Sequence, residues 1–362
     1  MAKKKGRKHL YFLGFLVFII YVFAAARPVP EETILVPLWL ISLESNNTVN
    51  FTINSREEGE IIPFRLGNRF GYIENNGQII LNRIQQEENL SFSPHIWSEY
   101  EALPSDIEVY NPYNHLLMTI NNPLGYPLFL DNRAFLLGSE QSSLSALDSQ
   151  GNILWTYDFP APITCIDAAS GFVLAGTLDG GVELLNDQGI QAFPSFEPGG
   201  SRLSVILGCA ISSDASRLAV ISGIDNQRFL LMEKSGETYR VIYHEYLSTG
   251  FRRAVHVRFI DNDSRVVFER EGGIGIYDTN SRNSVTVALE GEIKAMDTGE
   301  DGYFFVINSH GGNLMSLVGL RLPGTVVLNT PFRSENIFLD RQNSRLFLGG
   351  DLNLASFELG KQ

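Results

Sequence analysis

The chain has 362 residues, of which 44% are hydrophobic, and it contains two cysteines. This length and apolar content suffice for a packed core, so they exclude a disordered chain and a small disulfide-stabilised domain. Residues 1–9 contain five basic residues and no acidic residue, whereas the remainder has 23 Lys and Arg against 41 Asp and Glu, a net charge of −18. Such an acidic body repels polyphosphate, so we expect no nucleic-acid partner.

The first predicted element is an apolar run at Leu10–Ala26, 17 residues without a charge. As a helix it reaches about 25 Å, close to the bilayer hydrocarbon thickness of about 30 Å. Two interpretations stay open: a signal anchor that contacts the lipid bilayer as a transmembrane helix, or a signal peptide cleaved after Ala26. Both place the remaining chain in the periplasm or the exterior. They divide the chain into residues 1–30 and a folded domain at 31–362.

An internal repeat follows, in which residues 135–153 and 173–191 align without a gap at an offset of 38. Each copy contains a short apolar strand, a polar turn, an alternating strand and a second turn of the form Asp/Asn-x-x-Gly. Alternation with period two between such turns is typical of β-hairpins. Hairpins that repeat about every 40 residues predict the blades of a β-propeller. The matched positions are Gly138 with Gly176, Asp148 with Asn186, and Gly151 with Gly189.

The apolar second strand of the repeat marks the other blades. Its copies are separated by 65, 38, 45, 48, 38 and 42 residues, and they lie near Phe70, Phe135, Val173, Leu218, Val266, Phe304 and Leu346. These seven strands predict an all-β protein with a single β-propeller of about seven four-stranded blades, with six or eight as alternatives. The long first interval is interpreted as an insertion near 87–127, because that stretch is rich in Asn, Pro and Tyr.

The two ends of the predicted domain indicate how the ring closes. The last copy of the repeat contains no sequence for an outer strand. We expect the apolar run Thr33–Leu43, or alternatively Thr48–Ile53, to pair with the C-terminal blade. Such pairing leaves no open sheet edge between the first and last blades.

The first copy resembles the tryptophan-docking repeat of quinoprotein-like (PQQ-type) β-propellers. The resemblance rests on Gly138, on the Ala-Leu-Asp sequence at 146–148 and on the Gly-x-x-x-Trp sequence at 151–155. The second copy has Phe193 in place of the tryptophan. Turns near 213–219 and 262–267 are more similar to those of WD40-type blades.

This resemblance implies structural roles for the repeat residues. The glycines allow tight turns, and Asp148 and Asn186 accept hydrogen bonds from turn amides. Trp155 is expected to pack between neighbouring blades with its N–H on a carbonyl. Quinoprotein dehydrogenases also have an adjacent Cys-Cys pair, which this chain lacks, so the resemblance implies the fold without the active site.

The remaining candidates for chemistry yield no catalytic set. Cys165 and Cys209 occupy equivalent places on the innermost strands of consecutive blades, and both a pair of buried free thiols and an inter-blade disulfide stay open. The six histidines have no metal-ligand spacing. We therefore predict no catalytic residue, no cofactor and no metal.

The leading hypothesis is a non-enzymatic, extracytoplasmic and membrane-tethered scaffold that binds other proteins of the membrane or envelope. The nearest analogy is the scaffold component of the outer-membrane β-barrel assembly machinery. The predicted partner-binding residues are the aromatic side chains of the insertion, with packing onto the ring as the equal alternative: Phe92, Trp97, Tyr100, Tyr110, Tyr113 and Tyr126.

Two other hypotheses stay open. The first is a propeller enzyme, a hydrolase, lyase or oxidoreductase, with carboxylates from several blades in the central funnel. Such a site is assembled from residues distant in sequence, so no local motif would mark it. The second is a ligand sensor, which would need a partner in the membrane because nine residues precede the apolar run.

Overall fold

The structure is a computed structural model that describes residues 5–25, 33–44, 47–50, 60–248, 250–299 and 301–361. Its N-terminal helix is α1 (Lys5–Ala25), in which the side chains of residues 11–21 are exposed. The cleavage predicted after Ala26 falls outside the described residues.

The predicted transmembrane helix requires a correction. Among the residues that the structure describes, no helix is long and apolar enough to span a bilayer. The interpretation of Leu10–Ala26 as a transmembrane helix is therefore wrong, and the alternative of a cleaved signal peptide stays a prediction. The uncharged run of 17 residues falls short of the about 20 that a transmembrane helix needs.

The described strands form eight antiparallel sheets, and each sheet is one blade of a single β-propeller. Blade 1 contains β3 (Ile61–Leu66), β4 (Arg69–Glu74) and β5 (Ile79–Ile84). Blade 2 contains β6 (Asn89–Phe92), β7 (Trp97–Tyr100), β8 (Asp106–Tyr110) and β9 (Leu116–Asn121). Blade 3 contains β10 (Gly125–Leu130), β11 (Arg133–Gly138), β12 (Ser143–Leu147) and β13 (Ile153–Asp158). Blade 4 contains β14 (Ile163–Ala169), β15 (Phe172–Thr177) and β16 (Val182–Leu185).

The C-terminal half continues the same order. Blade 5 contains β17 (Ile206–Ile211), β18 (Arg217–Ser222), β19 (Arg228–Ser235) and β20 (Thr238–Tyr246). Blade 6 contains β21 (Val257–Ile260), β22 (Arg265–Arg270), β23 (Gly273–Asp278) and β24 (Asn283–Ala288). Blade 7 contains β25 (Glu292–Met296), β26 (Tyr303–Ser309), β27 (Leu314–Arg321) and β28 (Thr325–Arg333). Blade 8 joins β29 (Ile337–Gln342), β30 (Arg345–Gly350) and β31 (Asn353–Lys361) to β1 (Thr33–Ser42) and β2 (Asn47–Asn50).

Eight blades correct the prediction of about seven. The error lies in the insertion predicted near 87–127, which instead contains the whole of blade 2. The marker of each blade in the sequence is an apolar second strand, but β7 is only four residues long and includes Ser98 and Glu99. Ser98 is nevertheless fully buried. Its hydroxyl donates to the carbonyl of Glu108 at 2.8 Å, so the buried polar group has a partner. A buried strand can contain polar residues when their hydrogen bonds are satisfied, and such a strand lacks the apolar pattern that marks the other blades.

The seven second strands located from the sequence are confirmed as β4, β11, β15, β18, β22, β26 and β30. These strands are buried on both faces because each blade lies between two others. In β26, for example, all seven residues from Tyr303 to Ser309 are buried. A strand buried on both faces needs a continuous apolar run, and this explains why the run was a reliable marker.

Ring closure is confirmed as well. Strand β1 lies between β31 and β2 in the sheet of blade 8, so the N-terminal segment supplies its outer strands. The backbone N–H of Leu43 donates to the carbonyl of Leu352 at 2.8 Å. Of the alternative segment Thr48–Ile53, residues 48–50 belong to β2 and residues 51–53 lie outside the described part of the chain.

Polar contacts join neighbouring blades from blade 3 to blade 8 near the turns that connect first and second strands. Each contact pairs a side chain of one blade with the backbone of a neighbouring blade, so it satisfies polar groups at the seam. They are Arg133 Nη1 to Gly171 O (3.0 Å), Ile211 N to Asp167 Oδ2 (2.9 Å), Ser213 N to Asp263 Oδ2 (2.7 Å), Arg258 Nη1 to Met296 O (3.1 Å) and Arg341 Nη1 to Tyr303 O (2.8 Å). We call these contacts the polar latches.

Candidate functional site

The repeat residues form two equivalent turns in blades 3 and 4. The Asp148 carboxylate accepts from the backbone amides two and four residues downstream, both at 2.8 Å. Asn186 accepts in the same way at 3.0 and 2.9 Å. Gly151 and Gly189 have φ angles of +88° and +73°, which favour glycine. Hydrogen bonds, first from the Asn152 side chain, hold the pKa of Asp148 below its usual value. Of the other repeat glycines, Gly138 ends β11 and Gly176 lies in β15.

Two tryptophans dock between neighbouring blades with the same geometry. Trp155 of blade 3 donates its Nε1–H to the carbonyl of Asp187 in blade 4 at 2.8 Å, and a Cβ on Gly189 would lie 2.5 Å from its ring. Trp39 of blade 8 donates to the carbonyl two residues before Gly77 at 3.0 Å, and a Cβ on that glycine would lie 3.0 Å from its ring. The docking role of Trp39 was not predicted, although the Asn-Asn-Gly turn before β5 is a sequence signal for the turn on which it docks.

The six predicted partner-binding aromatics lie in blade 2 and at the start of blade 3, but most of them are not on the surface. Tyr113 is 55% exposed. Trp97 and Tyr100 are 2% and 8% exposed and belong to the core. Phe92, Tyr110 and Tyr126 are half-buried. For most of the cluster, packing onto the ring, the alternative stated above, is therefore the observed arrangement.

An aromatic seam joins blades 1 and 2. Trp97 stacks on Tyr110 with ring centroids 4.8 Å apart and packs against Phe70 at 5.3 Å. Phe92 packs against Tyr72 at 5.0 Å, and the Tyr72 hydroxyl donates to a blade 2 carbonyl at 2.8 Å. Burial raises the pKa of Tyr72, so this phenol stays protonated and remains a donor. The seam fixes blade 2 through ring packing, whereas polar latches join the later blades.

The outer side of this seam opens into a cavity of about 450 Å³ between β5, β7 and β8. We call it the acidic cleft, because one arginine, Arg83, faces five carboxylates in its wall. Trp97 and Tyr110 form the apolar part of that wall. The carboxylates are Glu87, Glu99, Glu101, Asp106 and Glu108.

Hydrogen bonding within the acidic cleft leaves most of its negative charge uncompensated. Arg83 forms an ion pair with Glu99 at 3.5 Å, and its guanidinium lies 5.0 Å from the centre of the Trp97 ring. The Tyr110 hydroxyl donates to Glu108, and this hydrogen bond raises the pKa of the tyrosine. One arginine cannot neutralise five carboxylates, so the cleft attracts cations. Sequence analysis missed it because each acid, read singly, is typical of a solvated loop.

The first strands of consecutive blades contact one another and form the inner wall of the ring. The first strands of blades 4 to 7 line two cavities of about 430 and 400 Å³. Asp167 and Asp263 both line the second cavity, as the propeller-enzyme hypothesis requires. Each carboxylate, however, accepts a backbone N–H from blade 5 and serves as a polar latch. Burial raises the pKa of Asp167.

Within the described residues, no group of three or more His, Cys, Asp and Glu side chains is arranged to hold a metal ion. The predicted thiols lie in the same inner wall, with Cys165 in β14 and Cys209 in β17. Both are free thiols in this structure.

Comparisons with known proteins agree with this architecture. The chain is 26% identical over 367 residues to an uncharacterized protein of Treponema pallidum (strain Nichols), covering 99% of this chain and 95% of the relative. Its fold is similar to the crystal structure of BamB from Moraxella catarrhalis, with a TM-score of 0.57 and 11% identity over 90% of this chain and 100% of that one. It is also similar to apo AztD from Citrobacter koseri, with a TM-score of 0.53 and 11% identity over 80% and 88% of the two chains. A family described as β-propeller protein matches residues 1–361, and the chain belongs to that family.

Proposed function

We propose that this chain is a non-enzymatic PQQ-type β-propeller of the cell envelope that binds another protein outside the cytoplasm. The N-terminal sequence pattern supports export, and the docked tryptophans and the similarity to BamB and AztD support the propeller type. The observation that carries the proposal is the acidic cleft beside the aromatic seam.

The chemistry of the acidic cleft favours a basic protein segment as the partner. Glu101 and Asp106 are exposed, and no Lys or Arg in the described part of the chain forms an ion pair with either carboxylate. A Lys or Arg side chain would gain an ion pair with them, while an apolar neighbour could cover the half-buried ring of Tyr110. Aromatic rings surrounded by complementary charge are typical of interface anchors.

The cleft is also built to bind without rearrangement. Strands β5, β7 and β8 supply part of its wall, and the Trp97 Nε1–H is already bound to the carbonyl of Asn111 at 3.0 Å. Fixed side chains lose little conformational entropy when a partner binds, so more of the contact energy appears as affinity. A rigid ring that presents such a site suits a scaffold.

Charge reversal in the cleft tests the proposal. The double variant Glu101→Lys/Asp106→Lys would place two cations where the partner's basic side chains bind. We expect recovery of the partner by crosslinking and affinity isolation from intact membranes to fall at least about tenfold. The side chains changed are exposed, so the thermal midpoint should remain that of the parent protein.

A matched control carries the same change of charge on other blades. Glu237 and Glu271 are exposed acids of blades 5 and 6, so Glu237→Lys/Glu271→Lys should leave partner recovery unchanged. Equal recovery by the cleft variant and the parent would refute binding at this site. An equal loss in both variants would show that net charge, and not the cleft, determines binding.

A further inference from the structure

The two cysteines of the chain meet across the seam between blades 4 and 5. Cys165 and Cys209 are 44 residues apart in sequence, yet they lie on the adjacent first strands β14 and β17 and line the same cavity. Both belong to the same packed cluster in the inner wall of the ring. A chain with just two cysteines that places both in one cluster and one cavity provides the setting for one specific covalent bond.

Hydrogen bonds on both sides of the pair hold the two strands in register. The Thr164 hydroxyl donates to the carbonyl of Ile206 at 2.5 Å, and the N–H of Ile211 donates to Asp167 Oδ2 at 2.9 Å. Residue numbers increase in the same direction on both strands, so β14 and β17 run parallel past the cysteines. Cysteines that line one cavity from adjacent, hydrogen-bonded strands can reach the S–S bond length of about 2.05 Å by side-chain rotation.

The two thiols differ in access. Cys165 is half-buried and Cys209 is 9% exposed, and both line the cavity of about 430 Å³. The neighbouring Cys165 side chain, together with burial, raises the pKa of Cys209, so this thiol is the poorer first nucleophile. An external disulfide that enters the cavity therefore meets Cys165 first.

We propose that Cys165 and Cys209 are a modification site: a dithiol that becomes an inter-blade disulfide by exchange with an external disulfide. The Cys165 thiolate attacks one sulfur of R–S–S–R, forming a mixed disulfide and releasing one thiolate. Cys209 then gives up its proton and attacks the Cys165 sulfur, releasing the second. The protein loses two electrons and two protons, and R–S–S–R becomes two R–SH molecules. This chemistry is independent of the acidic cleft, and an oxidising poise outside the cytoplasm would supply the disulfide.

The bond would link a three-stranded blade to its neighbour. Blade 4 has three strands, and isolated bridges at Phe196 and Gln191 replace its fourth. A disulfide between β14 and β17 closes a loop of 44 residues and restricts the unfolded chain, so it raises the thermal midpoint. The site thereby couples the redox state of the surroundings to the stability of the inner wall.

Oxidised glutathione provides the test on the full-length native protein. After incubation and alkylation of remaining thiols, we expect the protein mass to fall by two hydrogen atoms and a peptide to link residues 165 and 209. The thermal midpoint should rise by a few degrees and return when a phosphine reductant is added. Unreacted thiols in the folded protein, or glutathione that stays on Cys165 without an intramolecular bond, would overturn the proposal.

Single variants separate the two steps. Cys209→Ser should accumulate a stable mixed disulfide at position 165, because the resolving thiol is absent. Cys165→Ser should remain unmodified while folded, because Cys209 is buried. Neither variant should show the redox-dependent shift in thermal midpoint, and Cys209→Ala serves the same purpose if the buried serine impairs folding. Equal modification of both single variants would contradict the proposed order of attack.

Discussion

The seam between blades 1 and 2 is packed with aromatic rings, whereas the five polar latches lie in the seams from blade 3 to blade 8. Rings also stack in one of these later seams, where Phe229 of blade 5 lies on Phe268 of blade 6 with centroids 4.1 Å apart. In the first seam, Trp97, Phe70 and Phe92 pack as an aromatic layer. In the later ones, polar latches tie the side chains of one blade to the backbone of a neighbouring blade. The tryptophan docks occur in both halves of the ring, at the junctions of blade 8 with blade 1 and of blade 3 with blade 4.

This difference teaches that blade geometry does not require the repeat motif. Strand pairing and burial on both faces are sufficient, and aromatic packing satisfies that burial as well as aliphatic residues and latches do. Blade 2 shows no recognisable repeat and also carries the acidic cleft. Because large rings pack this blade against its neighbour, the charged side chains at its surface do not have to contribute to that packing.

The largest expected effect breaks the aromatic seam. Trp97→Ala removes a ring that is 2% exposed, so we expect the free energy of unfolding to fall by about 4 kcal/mol in urea denaturation. Tyr113→Ala, in the same blade but at a 55% exposed side chain, should change it by less than about 0.5 kcal/mol. Similar losses in both variants would mean that burial is not what holds blade 2.

A smaller effect tests the polar latch between blades 7 and 8. Burial raises the pKa of Asp297 to about 7, although Arg341 lies 3.6 Å away and Arg258 nearby, and both favour the carboxylate. The folded protein therefore binds this proton more tightly than the unfolded chain, so stability rises as the pH falls. Between pH 8 and pH 5 the gain from this group is about 2 to 3 kcal/mol.

Thermal or urea denaturation at several pH values measures this gain. Asp297→Asn removes the titrating proton, so it should flatten that part of the pH profile whatever its effect on absolute stability. An unchanged slope in the variant would assign the pH dependence to other groups. No comparable titration is expected from the aromatic seam, where burial keeps the Tyr72 phenol protonated.

The smallest effect concerns the tryptophan dock. Gly189→Ala combines a positive φ with a Cβ 2.5 Å from the Trp155 ring, and we expect a loss of about 2 kcal/mol. Gly236→Ala has a similar φ of +67° but nothing within 4 Å of the added Cβ, so it should cost about 1 kcal/mol. The difference in denaturation midpoint between the two variants measures the dock. Equal losses would show that the dock adds nothing beyond backbone strain.

Much of the fold followed from the sequence because buried strands leave a visible pattern. The apolar second strands predicted the positions of seven blades. Because the C-terminal copy of the repeat contains no outer strand, the sequence also predicted that the N-terminal run Thr33–Leu43 would pair with it. Blade 2 was missed because Ser98 and Glu99 interrupt its second strand, and their burial depends on partners elsewhere in the sheet. Trp39 was missed because its docking turn lies 36 residues downstream.

The candidate site depended on contacts that no local pattern records. Glu87, Glu101 and Asp106 each look like ordinary loop acids, and they become a cleft only when β5, β7 and β8 are side by side. Five of the six predicted partner-binding aromatics are buried or half-buried, and their role in partner binding stays a prediction. Whether a ring faces solvent or a neighbouring blade depends on how the blades pack.

The sequence by itself determined the β-propeller class, the period of its blades and the pairing of the chain ends, because these depend on hydrophobic periodicity and turn chemistry within about forty residues. Only the tertiary structure decided the eighth blade, the acidic cleft and the cavity that Cys165 and Cys209 share. Those features join residues from different blades, and their geometry is set by how the sheets pack around the axis.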